Sequence, residues 1–494
     1  MDEELDFDQN KIRKLQELRN KGINPFGYYF DKQNTISEIR QKFENVSHEP
    51  TSEEIKTAGR ILSIRGHGKV MFADLEDYTG KIQLFFRVNE LGEEKFAQIK
   101  ENIERADIVG VIGNIFKTKR GELSIIVKKI ELLTKTINFI PEKFHSIVDT
   151  DKRYRKRYLD LLMNPEVREI FKKRAKIIST LRRYLEDMDF IEVETPILQP
   201  VYGGANAKPF ITYHNTLKQN LYLRIAPELY LKRISVGGFE KIFEIGHNFR
   251  NEDIDSTHNP EFTSIEIYYA YQDYNKMMEL TEKILNHIVK TVNNGNLKIK
   301  YKDYEIDFSI PFKRITMEEI VKNETGIDVF AHNTDELRAM AEEKFMEDYE
   351  KPQNQRQFLL YFFEKMVEQN IIQPTFIYDF PIDNSPLAKR HRTKENFTER
   401  FELFVAGTEI ANGFSELTDP LDQKARFEEQ DSKRAVDSEA MMNDYDFVNA
   451  LGYGLAPTGG VGIGLDRLTM ILTNNVSIKE VILFPQMKSV HEKE

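Results

Sequence analysis

The stretch FRNEDIDSTHNPEFTSIE (249–266) places an Arg at the entry of a polar loop and a His, a Phe and a Glu at its exit. If EFTSIEIYY forms a strand, Phe262, Ser264, Glu266 and Tyr268 share one face, and Thr263, Ile265, Ile267 and Tyr269 share the other. The second set is apolar enough to lie on a core. The first offers a ring, a carboxylate and a phenol to a cleft. A preceding strand, KIFEIGHNFR, delivers Arg250, and a return beside it brings Arg250 and Glu252 over Phe262. That set suits a nucleotide, with the Arg on phosphate through a charge-assisted contact and the Phe under the base. Taken alone, the loop composition fits a solvated surface turn equally well.

Two further segments supply complementary chemistry. PTGGVGIGLDRLTMIL (457–472) lacks both the G-x-G-x-x-G spacing and a G-K-S/T phosphate loop. Its Gly460, Gly462 and Gly464 instead recur every second residue, so one strand face carries no side chains. A planar base can approach such a face closely, and Arg467 can cover its other side by cation–π stacking. In ERFELFVAGTEIANGFSEL (399–417), a two-residue turn at Ala406-Gly407 or at Gly407-Thr408 leaves Glu402 and Glu409 on one face of a hairpin. Two carboxylates beside a triphosphate meet the needs of Mg²⁺. Asn412, Phe414 and Glu416 share a face by period two. Strict alternation puts them opposite Glu409, so a bulge is needed, expected at Asn412-Gly413. A fourth stretch, residues 203–233, contributes Gly204 and Glu228.

These residues need a scaffold, and the chain has room for one. Its 494 residues allow two or three domains, and 40% hydrophobic with 31% charged residues is ordinary for a globular protein. Zero cysteines exclude disulfides, thiolate zinc sites and thiol catalysis, which fits a reducing cytoplasm. No transmembrane run or apolar leader is expected. A formal charge of −11 argues against generic coating of nucleic acid, leaving local basic patches such as KIRKLQELRNKG (11–22) and KRYRKRYLDLL (152–162) for any such partner. Either could also be a solvated helix face.

The first third reads as a short helix followed by five strands, with a helix before the fourth, the pattern of an OB-type barrel. Alternation puts Met71, Ala73 and Leu75 inside with Ile82, Leu84, Phe86 and Val88, and turns Phe72, Gln83, Phe85 and Arg87 outward. Phe72 and Gln83 thus share the face on which such barrels stack and read single-stranded bases. Residues 146–163 read as a hinge. Beyond it, Asn164 and Pro165 cap a long helix, and FIEVETPIL (190–198) reads as a strand closed by Pro196. Strands are expected over 209–271 and again at 401–417, with helices over most of 276–371. One of these opens with a capping box from Thr316 to Glu319.

The combination of FIEVETPIL, FRNE…HNPEFT and GGVGIGLDRL, together with RIAPELYLKR, SPLAKR and NGFSEL, resembles the bacterial-type class II lysyl-tRNA synthetases over nearly the whole chain. The resemblance implies an α+β chain: residues 1–145 as a helix and OB-type anticodon-binding barrel, 146–163 as linker, and 164–494 as a catalytic domain on an antiparallel sheet. A mainly helical insertion would span about 316–372. It implies that Arg250 bridges the α-phosphate and the amino-acid carboxylate and that Arg250 and Arg467 form the catalytic pair. Glu252, His258, Asn259, Phe262, Gly462, Gly464 and Arg467 would hold ATP, and Glu402 and Glu409 would hold Mg²⁺. Gly204 and Glu228 would take lysine's α-ammonium, and Asn412 its carboxylate. Glu266, Tyr268 and Glu416 would take the ε-ammonium, with Phe414 in the same pocket. Phe72, Gln83 and Arg65 would read the anticodon of tRNA(Lys). A cytoplasmic homodimer with no membrane role is also implied. An aspartyl or asparaginyl relative would need a cation where Glu266 and Glu416 stand.

Overall fold

The computed structural model describes residues 7–140, 149–345, 352–433 and 442–488. It divides into two compact units, one running to residue 146 and the other starting at 147. Residues 146–148 of the expected hinge lie outside the described residues, and the rest of it is helical, Thr150–Arg155 and Arg157–Met163.

In the first unit, five strands close into a barrel in the order 54–67, 70–77, 80–87, 123–134, 108–117. Closure depends on the length of the first strand. Its residues 54–60 pair with 108–114 while 60–67 pair with 70–76, with Leu62 bulged out between the registers. Gly59 sits in the bend, where an added Cβ would meet the Glu76 carbonyl oxygen at 2.3 Å. Met71, Ala73, Leu75, Ile82, Leu84 and Phe86 are buried together in one core, so the period-two reading of these strands holds. The helix Glu93–Asn102 precedes the fourth strand.

The second unit is built on an eight-stranded sheet in the order 313–316, 375–381, 397–405, 408–415, 458–464, 261–270, 241–249, 191–192. The sheet is mixed rather than wholly antiparallel, because the outermost pair on each side is parallel. One face carries Ile265, Ile267, Phe401, Leu403, Val461 and Ile463 into a core with the helices Pro165–Glu186, Tyr274–Val292 and Leu465–Thr473. The opposite face is left for a cavity. At one end, the helices Met317–Thr325, Thr334–Lys344 and Gln355–Phe362 enclose Ile377, Phe380 and Phe404 in a separate cluster. Residues 346–351 of this insertion lie outside the described residues.

Several local expectations need correction. FIEVETPIL is not one strand: only Ile191–Glu192 and Leu198–Gln199 pair, into different sheets. Asn164 holds the N-cap position, but its amide donates to Asp160 Oδ1 at 2.7 Å instead of to the helix it precedes. The strand-rich region contains the helix Glu228–Val236, and strands return earlier than expected, at Thr375–Pro381. The capping box at Thr316 is present with both reciprocal bonds.

Candidate active site and barrel face

The cavity on the open face of the sheet has a volume of about 420 Å³ and is lined from the five strands 397–405, 408–415, 458–464, 261–270 and 241–249, the 251–260 loop, the helices at 228 and 465 and the 384–388 loop. Residues 261–270 pair with both 241–249 and 458–464, so Glu266 lies opposite Gly462 and Tyr268 opposite Gly460. Asn412 and Phe414 lie opposite the same two glycines from the other side. Gly460 and Gly462 therefore lower the middle of the sheet between two rows of functional side chains.

The hairpin after Val405 turns through Ala406 (φ 51°) and Gly407 (φ 69°), which fixes the first of the two possible turns. The bulge needed to align its carboxylates is present but lies at Ile410. Leu403 pairs with Ala411 and Phe404 with Glu409, leaving Ile410 unopposed. Ile410 and Ala411 both enter the hydrophobic core. That double insertion turns Glu409 and Asn412 to the cavity side together, and it corrects the expected bulge at Asn412-Gly413.

One end of the cavity is acidic. Glu228, Glu266 and Glu416 all line it. Lys232, one helical turn after Glu228, is fully buried, with its ammonium 2.6 Å from Glu228 Oε1 and 2.5 Å from Glu416 Oε2. The Phe414 and Phe447 rings flank that ammonium at 5.3 and 5.9 Å. Glu244, paired across strands with Glu266, is neutralised by Arg224. Among the described residues, Glu266 accepts a side-chain hydrogen bond only from Tyr268 Oη, at 3.1 Å. Burial, reinforced by the Glu228 charge, accordingly pushes the Glu266 carboxyl up to about 8. The carboxyls of Glu416 and Glu228 are also raised by burial, Glu416 well above its ordinary range. Gly204, in the left-handed region at φ 91°, packs against Ala226 and Glu228, where an added Cβ would stand 3.0 and 3.2 Å from their β-carbons. Sequence reading did not single out Lys232. Its spacing four residues after Glu228 was the available signal.

The other end is mixed in charge. The Arg250 guanidinium lies 5.1 Å from the Phe262 ring centroid, and its buried Nε has no hydrogen-bond partner among the described residues. A buried donor left open in this way is suited to an anion. Arg467 donates from Nη1 to the Glu409 carbonyl at 3.0 Å and from Nη2 to His258 Nε2 at 3.2 Å. His258 Nδ1 then carries the proton, which it gives to Asp255 Oδ2 at 2.8 Å. Asn259 lines the cavity, but its amide braces the loop, donating to the Glu261 carbonyl at 2.6 Å and accepting from Gln486 N–H at 3.2 Å. Glu402 accepts from Arg400 Nη2 at 2.6 Å, and burial raises its carboxyl to about 8. Glu252 and Gly464 also line the cavity.

In the barrel, Phe72 faces outward and stacks on Phe85 with ring centroids 4.7 Å apart. Arg65, directly opposite Phe72, places its guanidinium 6.0 Å from that ring and pairs with Asp74 at 3.0 Å. Gln83 is on the same face and accepts from Ser124 Oγ at 2.9 Å, leaving its amide NH₂ for a partner.

Both units resemble known proteins. Residues 55–133 match the model described as an OB-fold nucleic acid binding domain. A lysine–tRNA ligase of Methanoculleus marisnigri is 57% identical over 98% of this chain and 95% of its own. Lysine–tRNA ligases of Trichormus variabilis and Fusobacterium nucleatum are each 48% identical, over 98% and 96% of this chain and 88% and 96% of theirs. Residues 149–488, which carry the whole cavity, match the model for tRNA synthetases class II (D, K and N), and the chain belongs to that family.

Proposed function

We infer that the protein is a lysine–tRNA ligase, which activates L-lysine with ATP to lysyl-adenylate and diphosphate and then transfers lysine to the 3′ end of tRNA(Lys). The observation that carries this reading is the charge balance of the acidic end. Three buried carboxyl groups around one resident ammonium leave, once ionised, two negative charges for the two ammonium groups of lysine. Lys232 does not serve an aspartate or asparagine side chain, because Glu228 and Glu416 already hold its charge. An opposite-charge pair 4 Å apart attracts by roughly 4 kcal/mol at an effective dielectric near 20. A neutral isostere would leave buried acids unpaired and be rejected by a factor on the order of 10⁴ or more.

A lysine carboxylate oxygen attacks the α-phosphorus, the bond to the β-phosphate oxygen breaks and diphosphate leaves. The terminal ribose hydroxyl then attacks the adenylate carbonyl and AMP leaves. Arg250 bridges carboxylate and α-phosphate through the donor that is otherwise open, and Phe262 and Arg467 hold the base between them. Neither step needs a protein nucleophile, since positioning and charge neutralisation suffice. Glu402 and Glu409 fit Mg²⁺, which takes one or two protein carboxylates and completes its shell with phosphate oxygens. Among the described residues no group of three or more His, Cys, Asp or Glu forms a metal cage, so substrate would have to complete the site. Bound there, the ion would supply charge neutralisation on the triphosphate.

The proposed division of labour assigns residues 1–145 to the anticodon, 146–163 to the connection and 164–494 to chemistry, with the insertion at 316–372. Phe72, Gln83 and Arg65 read the anticodon. The enzyme acts in the cytoplasm as a homodimer, a reading supported by exposed Ile191, Ile197, Leu198, Ile211, Tyr213 and Leu217 around and beyond FIEVETPIL. No described helix is long and apolar enough to cross a membrane. The test is ATP–diphosphate exchange with each of the twenty amino acids. Lysine alone should drive it strongly, and Glu416→Gln should abolish it in a folded protein. Exchange driven by aspartate or asparagine would sink the assignment.

A further inference from the structure

The strand pair that presents Glu402 and Asn412 also carries Arg400, a cavity-lining residue to which the reaction above gives no role. Its guanidinium is engaged at all three nitrogens. Nη2 donates to Glu402 Oε1 at 2.6 Å and Nε to Asn412 Oδ1 at 3.1 Å. Nη1 donates to the Asn384 carbonyl at 2.8 Å and to Ser385 Oγ at 3.0 Å. The carbon of the fork lies 4.7 Å from the Phe380 ring centroid, which holds its plane.

A guanidinium can only donate, so the end of the Asn412 amide that meets it must be the oxygen. The NH₂ end is then left for the cavity that Asn412 lines. This sense matters because a carboxylate needs a donor there, and a flipped amide would offer it an acceptor. The same planar fork fixes the direction of Glu402. A lysine at this position has a single nitrogen, which cannot reproduce the set.

We propose that Arg400 is a positioning residue that couples the amino-acid carboxylate site to the metal carboxylates. It sets the donor sense of Asn412 and the rotamer of Glu402 through one rigid group. The proposal rests on the functional reading above.

Double-mutant cycles in lysine-dependent ATP–diphosphate exchange test it, with lysine KM and the half-saturating Mg²⁺ concentration read separately. Arg400→Met should raise both on the order of tenfold, a loss typical of groups acting within one network. In an Asn412→Ala background it should add less than about twofold to lysine KM, and in Glu402→Gln less than about twofold to the Mg²⁺ requirement. Additive effects in both backgrounds would overturn the proposal and leave Arg400 a packing residue. Arg400→Lys keeps the charge and covers the case in which the Met variant fails to fold. It should retain the thermal midpoint yet still raise lysine KM, and an unchanged KM would also overturn the proposal. If the unaltered protein shows no lysine-dependent exchange, the functional reading falls and this proposal with it.

Discussion

Gly460 leaves no room for a methyl group. A Cβ built there would stand 1.9 Å from Glu416 Oε1 and 3.1 Å from both Glu416 Cδ and Tyr268 Cε1. The residue lies within the strand Thr458–Gly464 and outside the left-handed region, so alanine meets no backbone obstacle and the clash falls on Glu416. The carboxylate must retreat by about 1.5 Å to restore ordinary contact. For a cation held 2.5 Å from it, as the Lys232 ammonium is, such a retreat costs about 2.5 kcal/mol at an effective dielectric near 20. Gly460→Ala should therefore raise lysine KM roughly 70-fold and leave ATP KM within about twofold. The assay is steady-state ATP–diphosphate exchange, titrating each substrate with the other saturating and checking the fold by thermal melting. Gly464→Ala is the paired control. Its Cβ would meet nothing closer than 3.8 Å in the protein, so it should hinder only the nucleotide and raise ATP KM. If Gly460→Ala left lysine KM unchanged, or raised ATP KM instead, the assignment of this strand's glycines to the two substrates would be refuted.

The remaining predictions concern charge and stacking. The Glu266 carboxyl, raised to about 8 in the free pocket, must be ionised to receive an ammonium. Lysine KM should therefore fall as pH rises from 6 toward about 8, before lysine's own α-ammonium deprotonates, and Glu266→Gln should weaken that dependence, the raised Glu416 and Glu228 carboxyls keeping the rest. Lys232→Met takes one partner from a buried ion cluster and should destabilise the protein by up to about 3–5 kcal/mol in urea unfolding. A carboxyl left unpaired is relieved by protonation, so this deficit should be larger at pH 9 than at pH 6; a pH-independent deficit would show that the ammonium does not serve the acids. Phe72→Ala removes the outward ring of the barrel and should weaken tRNA charging by the roughly 1–3 kcal/mol of one stacked base while sparing exchange. Equal loss of both would remove the anticodon role.

What was legible in the sequence was whatever a few neighbouring residues settle among themselves. Alternation of Met71, Ala73 and Leu75 with Phe72 gives an inside and an outside because the pleat has period two and one face is buried. The same logic set Glu266 and Tyr268 against Ile265 and Ile267, and the Thr316–Glu319 cap is complete within one helical turn. The helix at Glu228 was hidden because its buried face carries Glu228 and Lys232 among leucines, so apolar periodicity is a poor guide there. Alternation showed that the second hairpin strand needs a bulge. Only packing decided that Ile410 and Ala411 both enter the core, which places it. Lys232 between Glu228 and Glu416, and Arg400 across Glu402, Asn412 and the 384–385 loop, are likewise products of the tertiary structure. Patterning over a turn or a strand acts at short range along the chain, so composition and spacing reveal it. The balance of buried charge depends on which distant segments share a low-dielectric space, and that is fixed only when the chain has folded.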